Sequence, residues 1–151
     1  MKNKSLEIKA VIQIQKSANE VFDAIIDPAK MSNYFISSGS DKLDEGRNIK
    51  WRFPEFDIEF PIRVGKIRKD QYISFFWFMD EIELMVEISL TVPGQDGTIV
   101  TVTEKSRDND DAGITWLKQN TEGWANFLAC LKGYLEYGIN LRRGAFDFMR
   151  R

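Results

Sequence analysis

The sequence predicts an α+β fold in which a curved antiparallel sheet of about six strands holds one long C-terminal helix. Segments between residues 48 and 104 alternate apolar and polar residues with the period of two that indicates half-buried strands. The connections between them are of hairpin length, which makes neighbouring strands antiparallel. Over residues 112–137 the apolar period becomes helical, and such a helix must bury its apolar face on the concave side of the sheet.

The N-terminal region is predicted to form the first strand and a short helix. In residues 6–15 an apolar residue occupies every even position from 6 to 14, so one face of this strand is apolar. Ser17 and Glu20 have the spacing of a capping box, in which each side chain can bond the other residue's backbone amide. The helix that they begin is predicted over residues 18–26.

A second short helix is predicted directly after the first. Asp27 can cap its N-terminus, and Pro28 suits its first turn because a backbone N–H there would have no partner within the helix. We expect this helix to end near residues 34–35 and residues 37–46 to form a polar loop.

The remaining strands are predicted from alternation and from the turn residues between them. Residues 72–79 are apolar on both faces, which indicates a central strand that is covered on both sides or strongly curled. Arg63 is expected to point outward, whereas in a register shifted by one residue it would point inward and could anchor a ligand. The five predicted strands are residues 48–53, 56–64, 72–79, 82–92 and 98–104.

The final helix is the longest predicted element. The polar cluster at residues 108–111 can cap its N-terminus, and Gly138 suits its C-terminal end. Phe146 and Phe148 of the basic tail are candidates to pack back onto the domain. The predicted apolar face of the helix consists of Leu117, Asn120, Trp124, Phe127, Leu128, Leu131 and Leu135.

Length and composition favour a single domain over residues 1–151. A chain of 151 residues with 43% hydrophobic residues can bury an apolar core without disulfides or metals. The net charge of −2 comes from interspersed charges and shows no basic stripe, which argues against a nucleic-acid partner. No segment has the roughly 20 apolar residues of a membrane span. Cys130 is the one cysteine, expected to be buried and inert, and its isolation fits a cytoplasmic protein.

The residue types restrict the chemistry. The chain contains no histidine, which removes the commonest general base and the usual zinc ligand. Gly94 and Gly97 fall in a predicted hairpin turn, so the sequence has no glycine-rich phosphate loop. We therefore expect no catalytic residues, no metal and no cofactor, while a mechanism based on lysine or carboxylates stays open.

Three stretches carry a resemblance to a known family. Residues 17–28 (SANEVFDAIIDP) match that family's entry into its first helix, with its Asp-Pro. Residues 44–51 (DEGRNIKW) match the acidic-Gly opening of its second strand. Residues 123–138 carry Gly-Trp followed by Leu, Leu-Lys and Leu-Glu at helical spacing. On these residues the chain resembles the homologues of the activator of the 90-kDa heat-shock-protein ATPase, within the START-like or SRPBCC superfamily.

The resemblance covers nearly the whole chain and implies the helix-grip fold. It departs at Tyr34-Phe35, where the family often has Trp-Phe. Members of the superfamily bind lipids, sterols, polyketides or other apolar molecules in the hollow between sheet and helix, and a few are cyclases or hydrolases. The eukaryotic activator contacts its chaperone through an additional N-terminal domain, for which 151 residues leave no room.

Side chains from the sheet and the helix are predicted to line this hollow. Trp124 either lines a ligand pocket or plugs the core, and Asn120 either bonds a ligand or lies in the exposed first turns of the helix. The candidate ligand-binding residues are Trp51, Phe60, Trp77, Asn120, Trp124, Phe127, Leu128 and Leu131.

The sequence thus predicts a non-enzymatic, cytoplasmic domain that binds a small apolar or amphipathic molecule such as a lipid, sterol or polyketide. A first alternative is a protein-interaction module with a chaperone or another protein as partner, which would connect it to the stress response. A second is a cyclase- or hydrolase-like enzyme that uses carboxylates or Arg63. Neither the ligand nor the oligomeric state follows from the sequence.

Overall fold

The computed structural model describes residues 5–150 and confirms the predicted helix-grip architecture. Within these residues one antiparallel sheet of seven strands packs against a long helix. The strands are β1 Ser5–Ile14, β2 Ser38–Gly39, β3 Asn48–Arg52, β4 Glu59–Arg68, β5 Tyr72–Met79, β6 Ile82–Thr91 and β7 Thr98–Asp108. The helices are α1 Ala18–Ile26, α2 Pro28–Met31 and α3 Asp111–Tyr137, and a 3₁₀ turn follows at Asp147–Met149.

The strand order is β1-β7-β6-β5-β4-β3-β2, so the first strand pairs with the last. Their pairing runs from Ser5 opposite Asp108 to Ile14 opposite Thr98. Every other neighbouring pair is consecutive in the chain, as the hairpin-length connections predict. The segment between β1 and β2 therefore passes from one edge of the sheet to the other, and α1 and α2 lie along this path.

The apolar face of α3 is buried against the sheet, mainly against β1. Two polar contacts fix the C-terminal end of the helix on that strand: Lys132 Nζ donates to the Gln13 carbonyl at 2.9 Å, and the Gln15 N–H donates to Glu136 Oε2 at 2.9 Å. Nearer the middle of the helix, the Trp124 ring lies 5.6 Å from that of Trp77 on β5. The predicted packing of helix on sheet is thereby confirmed.

The structure contains the side-chain caps from which the starts of the helices were predicted. Ser17 Oγ accepts from the Glu20 N–H at 3.2 Å at the start of α1. Asp110 Oδ1 accepts from the Gly113 N–H at 2.7 Å at the start of α3, which identifies the role of the polar cluster. Gly138 ends α3 with a left-handed φ of 65°, a conformation that favours glycine.

The strand predicted over residues 56–64 is displaced towards the C-terminus. In the structure β4 begins at Glu59 and continues to Arg68. The Phe56 N–H donates to the Phe53 carbonyl at 3.2 Å and closes a turn, which leaves Ile58 57% exposed despite its place in the alternation. Beyond residue 64 the strand continues through an irregularity in register, where Ser74 Oγ accepts from the Lys66 N–H at 2.8 Å. Arg63 points outward as predicted and pairs with Glu83 at 3.0 Å.

Three further boundaries differ from the prediction. Strand β7 continues to Asp108, beyond its predicted end at residue 104. The second helix ends at Met31 and continues as turns to residue 35. The predicted polar loop over residues 37–46 contains the short strand β2, because the Ser37 N–H donates to the Arg52 carbonyl at 2.8 Å and extends the ladder beside β3.

Candidate functional site

A cavity of about 230 Å³ lies between the sheet, α3 and the C-terminal tail. Nine of its sixteen lining residues are aromatic. The sheet side and its loops contribute Tyr34, Phe35, Phe53, Glu55, Phe56, Phe60, Trp77 and Met79. The helix and tail contribute Asn120, Gly123, Trp124, Asn126, Phe127, Arg142, Phe146 and Met149. Phe56, Gly123 and Met149 are exposed at the rim, so the cavity reaches the surface.

The aromatic rings of the wall pack on one another in edge and tilted arrangements. The Phe35 and Phe127 centroids are 4.7 Å apart with an interplanar angle of 75°. Phe53 and Phe60 are 5.3 Å apart at 82°. Such contacts are individually favourable and hold each ring in one orientation, so the walls keep their shape.

Glu104 of β7 lies behind this wall and is 0% exposed. Its Oε2 accepts from Trp77 Nε1 at 2.8 Å. Its Oε1 accepts from Trp124 Nε1 at 2.9 Å and from Asn120 Nδ2 at 3.0 Å. One carboxylate therefore accepts from both indole N–H groups and from one of the two asparagine amides that line the cavity, and it links β5 to α3.

A second buried carboxylate, Glu55, lines the cavity from the loop between β3 and β4. Its side chain is 3% exposed, and Oε1 lies 2.5 Å from Arg142 Nη1 in the tail. The Arg142 guanidinium also stacks over the Phe146 ring, 4.5 Å from its centroid. Glu55 Oε2 is buried and accepts no hydrogen bond from residues 5–150.

Tyr34 supplies a polar group to the same wall, but this group is already engaged. Its hydroxyl donates to the Ala24 carbonyl at 2.8 Å. Burial, and then the neighbouring Tyr134, raise the pKa of Tyr34 well above its usual value. The phenol therefore stays neutral and serves as a structural contact between α1 and the cavity wall.

The cavity brings together five of the eight predicted ligand-binding residues: Phe60, Trp77, Asn120, Trp124 and Phe127. The other three, Trp51, Leu128 and Leu131, are buried in the packed core and do not line it. The sequence analysis considered a ligand or solvent as the partner of Asn120. In the structure the Asn120 amide lines the cavity and donates to Glu104, a partner that neither alternative named.

Glu104 itself could have been found in the sequence. Thr98, Val100, Val102 and Glu104 share one face of β7 by alternation, and all four are buried. The glutamate thus stands on the inward face, where a charged residue needs partners. Glu55 and Arg142 carried no such signal, because both lie outside regular strands and helices.

The described part of the chain offers neither a metal cluster nor a membrane helix. Among residues 5–150 no group of three or more Cys, Asp or Glu side chains could hold an ion. None of the helices in that range is long and apolar enough to span a bilayer. Cys130 is buried as predicted, and burial raises the pKa of its thiol.

Comparison with known proteins agrees with this fold. Residues 15–136 match the family model described as Activator of Hsp90 ATPase homolog 1-like protein. No curated protein matches the chain. The protein SSP2350 from Staphylococcus saprophyticus is 31% identical, with a TM-score of 0.78 over 91% of this chain and 96% of that one.

Two more distant structures show the fold alone. DynU16, from the dynemicin biosynthetic locus, is 24% identical with a TM-score of 0.79, and the match covers 89% of this chain but 48% of that one. The Aha1 dimer from Colwellia psychrerythraea is 20% identical with a TM-score of 0.75, covering 88% and 98% of the two chains.

Proposed function

Since the chain belongs to the family of Activator of Hsp90 ATPase homolog 1-like proteins, we propose that it binds a small apolar or amphipathic molecule without transforming it. The single observation that carries the proposal is the aromatic cavity between sheet, helix and tail. A concave, largely apolar site with a few polar groups is the usual form of a small-molecule site. Burial of apolar ligand surface would drive binding.

The size of the cavity narrows the class of ligand. Its volume of about 230 Å³ lies below the roughly 300–1,000 Å³ of drug-sized sites, yet above the roughly 150 Å³ of an apolar cavity that holds benzene. A molecule of one or two rings, or one polyketide-like segment of similar size, therefore fits better than a complete sterol or a long acyl chain.

The polar groups of the cavity support binding over catalysis. General acid–base chemistry needs a carboxylate within reach of the substrate and free to move a proton. Both oxygens of Glu104 already accept N–H donors, and one oxygen of Glu55 is paired with Arg142. Among the described residues, Glu55 is therefore the single lining carboxylate with an oxygen open to a bound molecule, whereas a cyclase- or hydrolase-like site needs at least two polar side chains that converge on the substrate. This arrangement favours a non-enzymatic role over the cyclase- or hydrolase-like alternative.

The test combines a ligand panel with a variant that blocks the cavity. Gly123 borders the cavity, and a Cβ placed there would meet no atom within 4 Å. Gly123→Phe is expected to put a ring into the mouth and to reduce ligand affinity at least tenfold. It should not lower the unfolding temperature, because phenylalanine forms helix better than glycine. Ala125→Phe, on an exposed position of the same helix, is the matched control.

Native mass spectrometry and thermal shift would be measured with one- and two-ring aromatics, short polyketide analogues, fatty acids and a sterol. We expect retention of the small aromatic or polyketide-like molecules by the wild type and by Ala125→Phe. If no molecule of the panel is retained, or if Gly123→Phe binds as tightly as the wild type, the proposal is wrong.

A further inference from the structure

A buried acceptor without a partner stands at one side of the cavity. Glu55 Oε1 is paired with Arg142, whereas its Oε2 accepts no hydrogen bond within residues 5–150. Leaving a charged acceptor buried and unsatisfied is unfavourable, more so than for a neutral group. In native proteins such groups are few, and each calls for an explanation.

The unpaired oxygen of Glu55 can be explained by the place of this side chain in the cavity wall. Its side chain is 3% exposed and belongs to the cavity wall. The terminal torsion of a glutamate is broad, so a partial rotation of the carboxylate can turn Oε2 towards the cavity. A hydrogen-bond donor on a bound molecule would then satisfy the oxygen that the protein leaves unpaired.

The surroundings indicate a neutral donor on an aromatic ring. Arg142 already balances the charge of Glu55 at 2.5 Å, so a second cation has little to gain. The adjoining walls are rings: Phe53 and Phe56 come from the same loop, and Phe146 lies under the Arg142 guanidinium. A flat aromatic molecule packs well against such rings, edge to face.

We propose that the cavity selects aromatic molecules that carry a hydroxyl group, with the hydroxyl donating to Glu55 Oε2. This inference rests on the proposed function, since it assigns the ligand class of the same cavity. It also makes Glu55 the residue that sets specificity, while the aromatic walls supply affinity.

The experiment compares probes that share one ring system. Calorimetric titration would use 2-naphthol, 2-methoxynaphthalene, which lacks the donor, and 2-naphthylmethylammonium, which is cationic. The wild type is expected to bind 2-naphthol at least tenfold more tightly than the methoxy compound, the range of a hydrogen bond to a charged group.

In the variant Glu55→Gln the side-chain amide can present a donor instead of an acceptor. The ratio of the two affinities should therefore fall close to one while both probes still bind. Glu59→Gln, an exposed carboxylate of β4, is the matched control and should keep the wild-type ratio.

The outcomes separate this inference from the function on which it rests. If no naphthalene probe and no other molecule of the panel binds, the proposed function fails. If the hydroxyl and methoxy probes bind the wild type equally, or if the ammonium probe binds best, the cavity binds ligands but the assignment to Glu55 is wrong. The wild-type series alone can overturn the assignment, even if Glu55→Gln folds poorly.

Discussion

Glu104 shows how one buried side chain can organise a cavity. It stands on the inward face of β7, two residues after Val102, and takes hydrogen bonds from Trp77, Trp124 and Asn120. No lysine or arginine of residues 5–150 forms an ion pair with it. Its three N–H donors therefore make burial tolerable and hold two indole rings in fixed positions.

Replacing Glu104 is expected to destabilise the domain strongly. Glu104→Leu fills a similar volume but leaves two buried indole N–H donors and the half-buried Asn120 amide without their acceptor, which we expect to cost about 3 kcal/mol in the free energy of unfolding. Urea denaturation measures this cost. Glu7→Leu, at an exposed position of β1, serves as control and should change stability little. A Glu104→Leu variant as stable as the wild type would show that these bonds contribute nothing.

Glu136 gives the domain a pH-dependent contact between α3 and β1. The hydrogen bond from Lys132, and then that from the Gln15 backbone, lower the pKa of Glu136 below its usual value of 4.5. Because the folded-state pKa is the lower one, the contact stabilises the fold fully above about pH 4.5, and this contribution is lost as the pH falls through the folded-state pKa.

The variant Glu136→Gln tests whether the contact stabilises the fold at neutral pH and loses this effect in acid. The unfolding temperature of the wild type should exceed that of Glu136→Gln at pH 7. The gap should shrink as the pH falls below about 4.5 and close below the folded-state pKa, where both states bind the proton. Glu122→Gln, on the exposed side of the same helix, should show no such closing gap. A gap that is constant from pH 7 to pH 3 would contradict the prediction.

At the scale of elements, the tail after α3 is held by a close contact with the helix. Gly133 leaves room for Leu141, since a Cβ at Gly133 would lie 2.7 Å from Leu141 Cδ1. Arg142 of the tail then pairs with Glu55 in the cavity wall. The left-handed turn at Gly138 reverses the chain, so that the tail runs back along the helix towards the cavity.

Gly133→Val is therefore expected to loosen the tail. The new methyl groups would displace Leu141 and weaken the ion pair of Arg142, so that trypsin cleaves after Arg142 and Arg143 faster, by about tenfold. Time-resolved proteolysis followed by mass spectrometry measures the rate. Ala129→Val places the same side chain on an exposed position of α3 and should leave the rate unchanged. Equal rates in both variants would mean that the tail is held elsewhere.

The elements also show which boundaries a sequence can predict. Strands β5 and β6 and helix α1 follow from periodicity and caps, because their own residues determine where they begin and end. Alternation failed for Phe56 and Ile58, which continue the pattern of β4 yet lie before its first residue. The helical period likewise missed Trp116, which is buried although it lies outside the predicted apolar face of α3. In both cases the position depends on segments far away in the chain.

At the scale of the whole molecule, the pairing of β1 with β7 and the packing of α3 on β1 connect the two ends of the chain. We therefore expect residues 5–150 to unfold as one cooperative unit. Circular dichroism at 222 nm reports mainly α3, and the fluorescence of Trp51, Trp77, Trp116 and Trp124 reports the core. The two denaturation midpoints should coincide, and separate midpoints would contradict a single domain.

The cavity was only partly predictable from the sequence, because several elements of the fold together determine its walls. The sequence predicts which residues face inward, and Trp51, Trp77 and Trp124 all do. Whether an inward ring meets another side chain or borders empty space depends on volumes contributed by several elements. Trp51 packs edge to face with Phe75 at 5.1 Å and is covered, whereas Trp77 and Trp124 border the cavity.

One wall of this cavity belongs to a segment that takes no part in the sheet. Arg142, Phe146 and Met149 follow the last long helix and pair with no strand. Substitutions or short insertions there can change the shape and charge of the wall while the strand register stays intact. Under the proposed function, exchanging these tail residues would change which molecules the cavity accepts without disturbing the sheet, which offers protein engineers a route to new specificity.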